Sequence, residues 1–321
     1  MTLKARFGSG HGLLSYASLT GILAVVVAGA FWVASAWTGP HTTTTATAAA
    51  AASAASPTSA VSPSATATVS TPSASPSPVT LTPVATAKSP TTLSVSLADL
   101  GVAGAVSVAV YDLDDGDLLT AGSGSYETAS IVKVDILVSL LVQRNGVLTT
   151  GQKSLARSMI TLSDNAAATS LFQTIGSAAG LNRTNKVLGL VETSAGTNGN
   201  WGLTKTTAAD QLRLLKLVFT TNSLLSDASR TYVSSLMTSV SEGQDWGVTA
   251  AADDKDEAAV KNGWLQRTTT GLWDVTSIGC VQASKHRLLV VVLTASGSSM
   301  SASVSTIERA ASAAVKRVLA A

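Results

Sequence analysis

The order of predicted strands and helices is the feature that most limits how this chain can fold. Apolar alternation at residues 106 to 111, followed by turn residues, predicts a two-stranded hairpin within residues 106 to 121, and strand-like runs predict three consecutive strands between residues 260 and 293. Between them, residues 130 to 240 are predicted to form a series of helices with an irregular stretch at residues 189 to 204. A last helix is predicted at residues 302 to 319. This order predicts an α+β fold, with one five-stranded antiparallel sheet, flanking helices and an inserted all-helical subdomain.

The segment before this domain has the composition of a membrane-targeting sequence. Residues 17 to 37 carry no charge and, at about 1.5 Å per residue in a helix, match the hydrocarbon core of a bilayer. Lys4 and Arg6 precede them without any acid, which predicts that residues 1 to 16 are cytoplasmic and that the rest is exported. The length favours an uncleaved transmembrane anchor, and Ala34-Ser35-Ala36 leaves a cleaved signal sequence open. The predicted location is extracytoplasmic, anchored to the cytoplasmic membrane or secreted after cleavage.

A linker is predicted between this segment and the domain. Residues 38 to 92 are almost entirely Ala, Ser, Thr, Pro and Val and contain no acid. Such a composition buries too little apolar surface to offset chain entropy, so we expect a disordered linker. It is either a spacer that holds the domain away from a membrane or a tether that is removed with the signal.

The predicted domain, residues 93 to 321, has nearly balanced charge. Of the 21 basic residues three precede residue 93, which leaves 18 against all 19 acids. We expect no nucleic-acid partner, because no basic stripe is visible. The single cysteine, Cys280, lies in an apolar strand-like run, so it excludes an intrachain disulfide and is interpreted as a core residue.

Ser130 and Lys133 lie at the start of a predicted helix that continues with apolar residues on nearly all sides. Residues at i and i+3 share one helix face, so the Lys133 amine can reach the Ser130 hydroxyl. A serine hydroxyl needs a nearby base to act as a nucleophile, and burial lowers the pKa of a lysine enough to supply one. Ser-x-x-Lys is a frequent pattern by itself, so the pair is only a candidate.

Two further short elements follow in the chain. Ser163-Asp164-Asn165 precedes a predicted helix, and Lys261-Asn262-Gly263 lies in a predicted strand. Taken alone, the first is explained by a helix N-cap and the second by a strand end or turn. Together with Ser130-x-x-Lys133, and in this order, they favour a shared catalytic site.

The three elements resemble the Ser-x-x-Lys, Ser-Asp-Asn and Lys-Thr-Gly motifs of the penicillin-recognising serine hydrolases, most closely the class A β-lactamase-like branch. The resemblance covers about residues 93 to 321 and includes the strand–helix–strand order. It implies a β-lactamase/DD-peptidase-like fold. It also implies that Ser130 is the acylated nucleophile, that Lys133 is its base or proton shuttle, and that Ser163 passes a proton to the leaving nitrogen.

The resemblance also implies a substrate-binding set. Asn165 would hold the side-chain amide of the substrate, and Lys261 would supply positive potential for a substrate carboxylate. Asn262, Gly263 and Trp264 continue the substrate-binding strand. The backbone N–H groups of Ser130 and Trp264 would form the oxyanion hole.

The chain departs from the family pattern in three places. The stretch between Lys133 and Ser163 is shorter than in typical class A enzymes, and Asn262 replaces the usual Thr or Ser. The stretch from 189 to 204 lacks the Glu-x-x-Leu-Asn pattern that positions the deacylating water. Glu192 is the only acid there, and is either a substitute deacylation base or a solvated loop residue.

Histidine-based and metal-based chemistry are not favoured. His286 is the only histidine of the predicted domain, and it lies between Lys285 and Arg287 at a predicted turn. No His/Cys cluster has zinc spacing, so we expect neither a metal nor another cofactor. Trp201, Trp246 and Trp264 are interpreted either as a stacking wall for the substrate or as packing at the junction of sheet and helices.

The sequence thus predicts an exported serine hydrolase that hydrolyses a β-lactam or related amide through an acyl-enzyme on Ser130. One alternative is a penicillin-binding or DD-peptidase-like protein with slow or absent deacylation. Another is a non-catalytic module that binds the cell wall. The expected partners are a small β-lactam or peptidoglycan-like substrate and, through the N-terminal segment, the membrane. The natural substrate and the oligomeric state stay open.

Overall fold

The computed structural model describes residues 89 to 321. The predicted cytoplasmic segment, the membrane segment and nearly all of the linker lie outside these residues, and they stay predictions. Within residues 89 to 321, no helix has the length and apolar character needed to cross a membrane.

Most strands lie towards the two ends of the described chain, six α-helices lie between these two groups, and a seventh α-helix follows the last strand. The strands are β1 (Thr92–Val95), β2 (Ala105–Asp112), β3 (Leu118–Ala121), β4 (Tyr126–Glu127), β5 (Lys205–Thr206), β6 (Ala259–Gln266), β7 (Trp273–Ala283) and β8 (His286–Gly297). The helices are α1 (Val132–Gln143), α2 (Thr150–Thr161), α3 (Asn165–Thr174), α4 (Ser177–Leu188), α5 (Ala208–Phe219), α6 (Asp227–Thr238) and α7 (Met300–Val318).

The main sheet has six strands in the order β1-β3-β2-β8-β7-β6, so the prediction of five strands was wrong by one. The additional strand, β1, pairs in parallel with β3, whereas the other five strands pair antiparallel as predicted. Four residues are too few for periodicity to separate a strand from the Thr- and Ser-rich sequence before it. A second, two-stranded sheet of β4 and β5 joins the segment before Ser130 to the loop after α4.

Two apolar cores lie on the two faces of the main sheet. One core contains α1 and the helices around it, and the other lies between the sheet and α7. Residues 132 to 141 of α1 are all buried, which explains why this helix is apolar on nearly all sides. The predicted α+β arrangement, with sheet, flanking helices and inserted helical region, is confirmed.

Successive side chains of the edge strand β6 point to opposite faces of the sheet, as strand geometry requires. Ala259 packs in the core that contains α1, whereas Val260 and Trp264 pack on the side of α7. Lys261 and Gly263 therefore face the helical region. This alternation decides which residues of β6 can reach Ser130.

Candidate active site

Ser130 lies in a short 3-10 turn, Ala129–Ile131, that leads directly into α1. The preceding residue, Ala129, has a φ of 46°, a conformation that costs a non-glycine residue about 1–3 kcal/mol unless its surroundings hold it. Two hydrogen bonds hold this segment: Thr128 N donates to Thr204 O at 2.8 Å, and Thr276 Oγ1 donates to Thr128 O at 2.9 Å. The turn thus presents a partly exposed Ser130 at the end of a buried helix.

The Lys133 amine brings the first two sequence elements together. Its Nζ lies 3.0 Å from Ser130 Oγ, 3.0 Å from Ser163 Oγ, 2.6 Å from Ser163 O and 2.8 Å from Asn165 Oδ1. The side chain of Lys133 is 0% exposed. An ammonium donates three hydrogen bonds, and a neutral amine can instead accept one from a hydroxyl. Lys133 is therefore placed to exchange a proton with Ser130 or Ser163.

Lys261 extends this hydrogen-bonded chain from the sheet side. Its Nζ donates to Ser163 Oγ at 3.0 Å and to Asn262 O at 2.9 Å, and its side chain is buried. The backbone of Ser163 has a φ of 54°, an uncommon conformation for a non-glycine residue, and the Ser163 hydroxyl lies 3.0 Å from each of the two lysine amines. All three predicted sequence elements meet at this hydroxyl.

Burial lowers the pKa values of both lysines. Desolvation lowers the pKa of Lys133 to about 7, with the nearby Asp164 carboxylate acting in the opposite direction. Desolvation also lowers the pKa of Lys261 well below its ordinary value, and repulsion by Lys133 adds to this effect. Near neutral pH an appreciable fraction of Lys133 is therefore a free amine, the form that can accept a proton.

Gly263 allows β6 to approach the Ser130 segment closely. A Cβ at this position would lie 2.6 Å from Thr128 O and 2.7 Å from both Ser130 N and Thr276 Oγ1, distances that real Cβ atoms do not show. Only glycine therefore lets the backbone of residue 263 lie this close to the Ser130 N–H. The structure brings the two residues of the predicted oxyanion hole to one place.

The structure does not bring the Asn262 side chain to this place. Asn262 Nδ2 donates to Gln244 O and to Trp246 O, both at 2.9 Å, and the residue is 1% exposed. Because it alternates with Lys261 and Gly263 along the strand, its side chain lies on the opposite face of the sheet. The amide holds the loop before residue 247 against β6.

Glu192 is also placed elsewhere. It is exposed, its backbone N–H donates to Asp210 Oδ2 at 2.8 Å, and its carboxylate accepts from Thr207 Oγ1 at 3.3 Å. It lines a separate cavity of about 210 Å³ beside β2 and β3. The structure therefore does not bring Glu192 together with Ser130.

A cavity of about 430 Å³ opens at Ser130. Its lining residues are Ala129, Ser130, Asn165, Thr169, Gly199, Asn200, Trp201, Gly202, Leu203, Trp264 and Leu265. No acid is among these residues of the described chain. The loop from 189 to 204 has no periodic pattern in the sequence, so its cavity-lining residues Asn200 and Leu203 were not predicted. Thr169 in α3 and Leu265 in β6 also line the cavity and were not predicted.

Two of the three predicted tryptophans line this cavity. Trp201 lies over Lys133, with 4.9 Å between the amine and the ring centroid, and its Nε1 donates to Thr169 Oγ1 at 3.1 Å. Trp264 lies on the β6 side and contacts Trp246 with ring centroids 5.9 Å apart. Trp246 packs behind Trp264 and is not part of the lining.

His286, the histidine of the domain, lies at a turn outside the cavity. His286 Nδ1 lies 2.8 Å from the buried carboxylate of Asp112, which also accepts from Asp114 N at 2.8 Å. Within the described residues, Asp112, Asp114 and His286 offer potential metal-ligand atoms within 4.8 Å of one another. None of the three lines the cavity at Ser130.

The fold is that of class A β-lactamases. It matches the TLA-3 extended-spectrum β-lactamase with a TM-score of 0.60 at 17% identity, covering 67% of this chain and 94% of that one. It matches a class A β-lactamase from Bacteroides cellulosilyticus with a TM-score of 0.57 at 17% identity, covering 67% and 91%. A β-lactamase from Chitinophaga pinensis gives a TM-score of 0.56 at 19% identity, covering 70% and 96%. At these identities the similarity shows the fold.

The sequence itself identifies the family. The model of the β-lactamase enzyme family matches residues 143–318, more than half of the chain. The protein therefore belongs to the β-lactamase enzyme family, and the predicted resemblance is confirmed. The match begins after Ser130 and Lys133, so the roles of these two residues rest on their geometry. No curated protein matches the chain.

Proposed function

We propose that this protein is a serine hydrolase that opens a β-lactam or a related amide and forms an acyl-enzyme on Ser130. The observation that carries the proposal is the buried Lys133 amine, which lies 3.0 Å from both Ser130 Oγ and Ser163 Oγ. A nucleophile with a base in hydrogen-bond reach, and a third group that orients the base, is the arrangement that covalent catalysis requires.

Acylation follows from this arrangement. Ser130 Oγ attacks the carbonyl carbon of the substrate amide while its proton passes to the neutral Lys133 amine. The negative charge that develops on the carbonyl oxygen is stabilised by the backbone N–H groups of Ser130 and Trp264. The C–N bond then breaks, and the leaving nitrogen takes a proton from Ser163, which is replenished from Lys133. The products of this step are the Ser130 ester and the released or ring-opened amine.

The walls of the cavity support a neutral acyl side chain in the substrate. Asn165 Oδ1 accepts from Lys133, which leaves the Asn165 NH₂ group to donate to a substrate carbonyl. Trp201 and Leu203 offer apolar surface around it. A substrate carboxylate beside Lys261 would favour the protonated form of this amine, whose pKa is lowered by burial, and the positive charge would then hold the carboxylate.

One observation favours a second candidate, a penicillin-binding or DD-peptidase-like protein with slow deacylation. Hydrolysis of the ester requires a base within hydrogen-bond reach of the attacking water. The described cavity at Ser130 has no acid in its lining, and Glu192 lines another cavity. Both candidates share acylation at Ser130 and differ in how long the ester lasts.

We also propose that the domain acts outside the cytoplasmic membrane. The uncharged residues 17 to 37, preceded by Lys4 and Arg6, support an anchor or signal. The mass of the native exported protein tests this, because an uncleaved anchor leaves the full mass and a cleaved signal removes the first residues.

Intact-mass measurement of the full-length chain with a fluorescent penicillin tests the proposed function. A transient adduct supports hydrolysis, and a persistent adduct supports the slow-release candidate. Ser130→Ala is expected to abolish either adduct. If the wild type forms no adduct at high penicillin concentration, acylation of this substrate class is refuted and the non-catalytic binding module is favoured.

A further inference from the structure

The indole of Trp201 covers the Lys133 amine. The amine lies 4.9 Å from the ring centroid, inside the distance of about 6 Å at which a cation is attracted to an aromatic face. The hydrogen bond from Trp201 Nε1 to Thr169 Oγ1, at 3.1 Å, attaches the far edge of the ring to α3. The ring is thus fixed between the amine and a helix.

The loop that carries Trp201 is attached to the segment before Ser130. Thr204 Oγ1 donates to Trp201 O at 2.7 Å and accepts from Gly196 N at 3.1 Å. The carbonyl of Thr204 accepts from Thr128 N at 2.8 Å. The position of the indole is therefore coupled to the same backbone that presents Ser130.

Lys133 has no surface left for water in this arrangement. Oxygen atoms of Ser130, Ser163 and Asn165 surround its Nζ at 2.6–3.0 Å, and the indole covers a further side. The residue is 0% exposed. Each N–H of the amine therefore has a protein acceptor, and a water molecule would have to displace one of these groups or the ring.

Deacylation needs such a water. Its oxygen attacks the ester carbonyl carbon, one of its protons passes to a base, and the ester C–O bond breaks. Ser130 Oγ leaves with a proton, and a free carboxylic acid is released. The described cavity has no acid in its lining, so Lys133 is the basic group next to the ester. Hydrolysis through Lys133 therefore depends on the access of water to its amine.

We propose that Trp201 is a positioning residue that shields Lys133 from water, so that Lys133 exchanges protons with Ser130 and Ser163 but does not activate a hydrolytic water. This inference rests on the proposed acylation of Ser130 and adds a cause for a long-lived ester. Trp201 occupies the loop in which the expected deacylating glutamate pattern is missing.

The lifetime of the penicillin adduct on the full-length chain tests the proposal. After removal of free penicillin, Trp201→Ala is expected to lose the adduct about tenfold faster or more, because general-base assistance to water is worth about 10²–10⁴-fold in full. Trp201→Phe keeps a ring face over Lys133 and is expected to restore most of the wild-type lifetime. Val191→Ala, at a residue of the same loop that is 79% exposed, controls for loop substitutions in general. Equal adduct lifetimes in wild type and Trp201→Ala would overturn the proposal.

A second measurement needs no substrate. In ¹⁵N-lysine-labelled full-length protein, the Nζ resonance of Lys133 is assigned by its loss in Lys133→Ala. Exchange of the Nζ hydrogens with water is expected to accelerate about tenfold or more in Trp201→Ala, where hydration replaces the ring, and to change little in Trp201→Phe. Unchanged exchange in a folded Trp201→Ala variant overturns the shielding. If no adduct forms on the wild type, the proposed acylation fails, and the exchange rates still decide whether Trp201 shields Lys133.

Discussion

Substitution of Gly263 by alanine tests how the sheet and Ser130 are held together. The added Cβ would lie 2.6 Å from Thr128 O and 2.7 Å from Ser130 N, both backbone atoms that cannot rotate away. Either β6 or the Ser130 turn must therefore move. Overpacking of this kind costs about 1–3 kcal/mol. At about 2–4 °C per kcal/mol for a domain of this size, the Tm is expected to fall by roughly 2–12 °C.

The same movement separates the two N–H groups of the proposed oxyanion hole. Loss of one such donor slows catalysis by about 10²–10³-fold, so the rate of Ser130 acylation is expected to fall by about 100-fold. Stopped-flow mixing with a fluorescent penicillin measures this rate, and calorimetry measures the Tm. Gly151→Ala is the matched control, because a Cβ there meets no atom within 4 Å. Wild-type acylation and Tm in Gly263→Ala would refute the reasoning.

Three further predictions concern titratable groups. Lys133→Ala is expected to abolish acylation, and the wild-type acylation rate is expected to rise as pH increases through about 7, because desolvation places the pKa of the Lys133 amine there. Desolvation also raises the pKa of the buried Asp135 carboxyl from 3.8 to about 7. Between about pH 4 and pH 7 the folded state therefore keeps a proton on Asp135 that the unfolded state loses. As pH rises through this range, Asp135 lowers the free energy of unfolding by up to about 4 kcal/mol. Asp135→Asn is expected to flatten this dependence of the free energy of unfolding on pH, measured by urea titration. Glu192→Gln is expected to leave the adduct lifetime unchanged, because Glu192 lines another cavity.

Each of these predictions has an outcome that contradicts it. Full-rate acylation in Lys133→Ala, or a wild-type rate that does not change between pH 6 and 8, would exclude Lys133 as the base. An Asp135→Asn variant with the wild-type slope of stability against pH would show that another group titrates. A changed adduct lifetime in Glu192→Gln would require the loop to bring this residue to the ester.

Most of the fold was predictable because its signals are local. The alternation of β2, the strand-like apolar runs of β7 and β8 and the apolar patterns of the helices are properties of short windows of sequence. β1 was missed because four residues at the edge of a sheet differ too little from the linker composition. Its parallel pairing with β3 is decided by a partner more than twenty residues away in the chain.

The same distinction between local signals and contacts of distant segments applies to the residues of the candidate site. Ser130, Lys133, Ser163, Asn165 and Lys261 were identified from short motifs, since the catalytic chemistry constrains residue type at fixed spacing. The placement of Asn262 was not predictable, because its role depends on the loop carbonyls of Gln244 and Trp246 that β6 meets in the folded chain.

The sequence alone determined the order of the elements and the side chains that could carry acyl transfer. Only the tertiary structure decided that the Ser163 hydroxyl lies between two buried lysines, that Glu192 faces another cavity, and that an indole covers the Lys133 amine. These are contacts between segments far apart in the chain, and desolvation and close approach exist only once those segments pack. Ser130 and Lys133 can be recognised from their spacing, whereas the groups around the ester depend on packing.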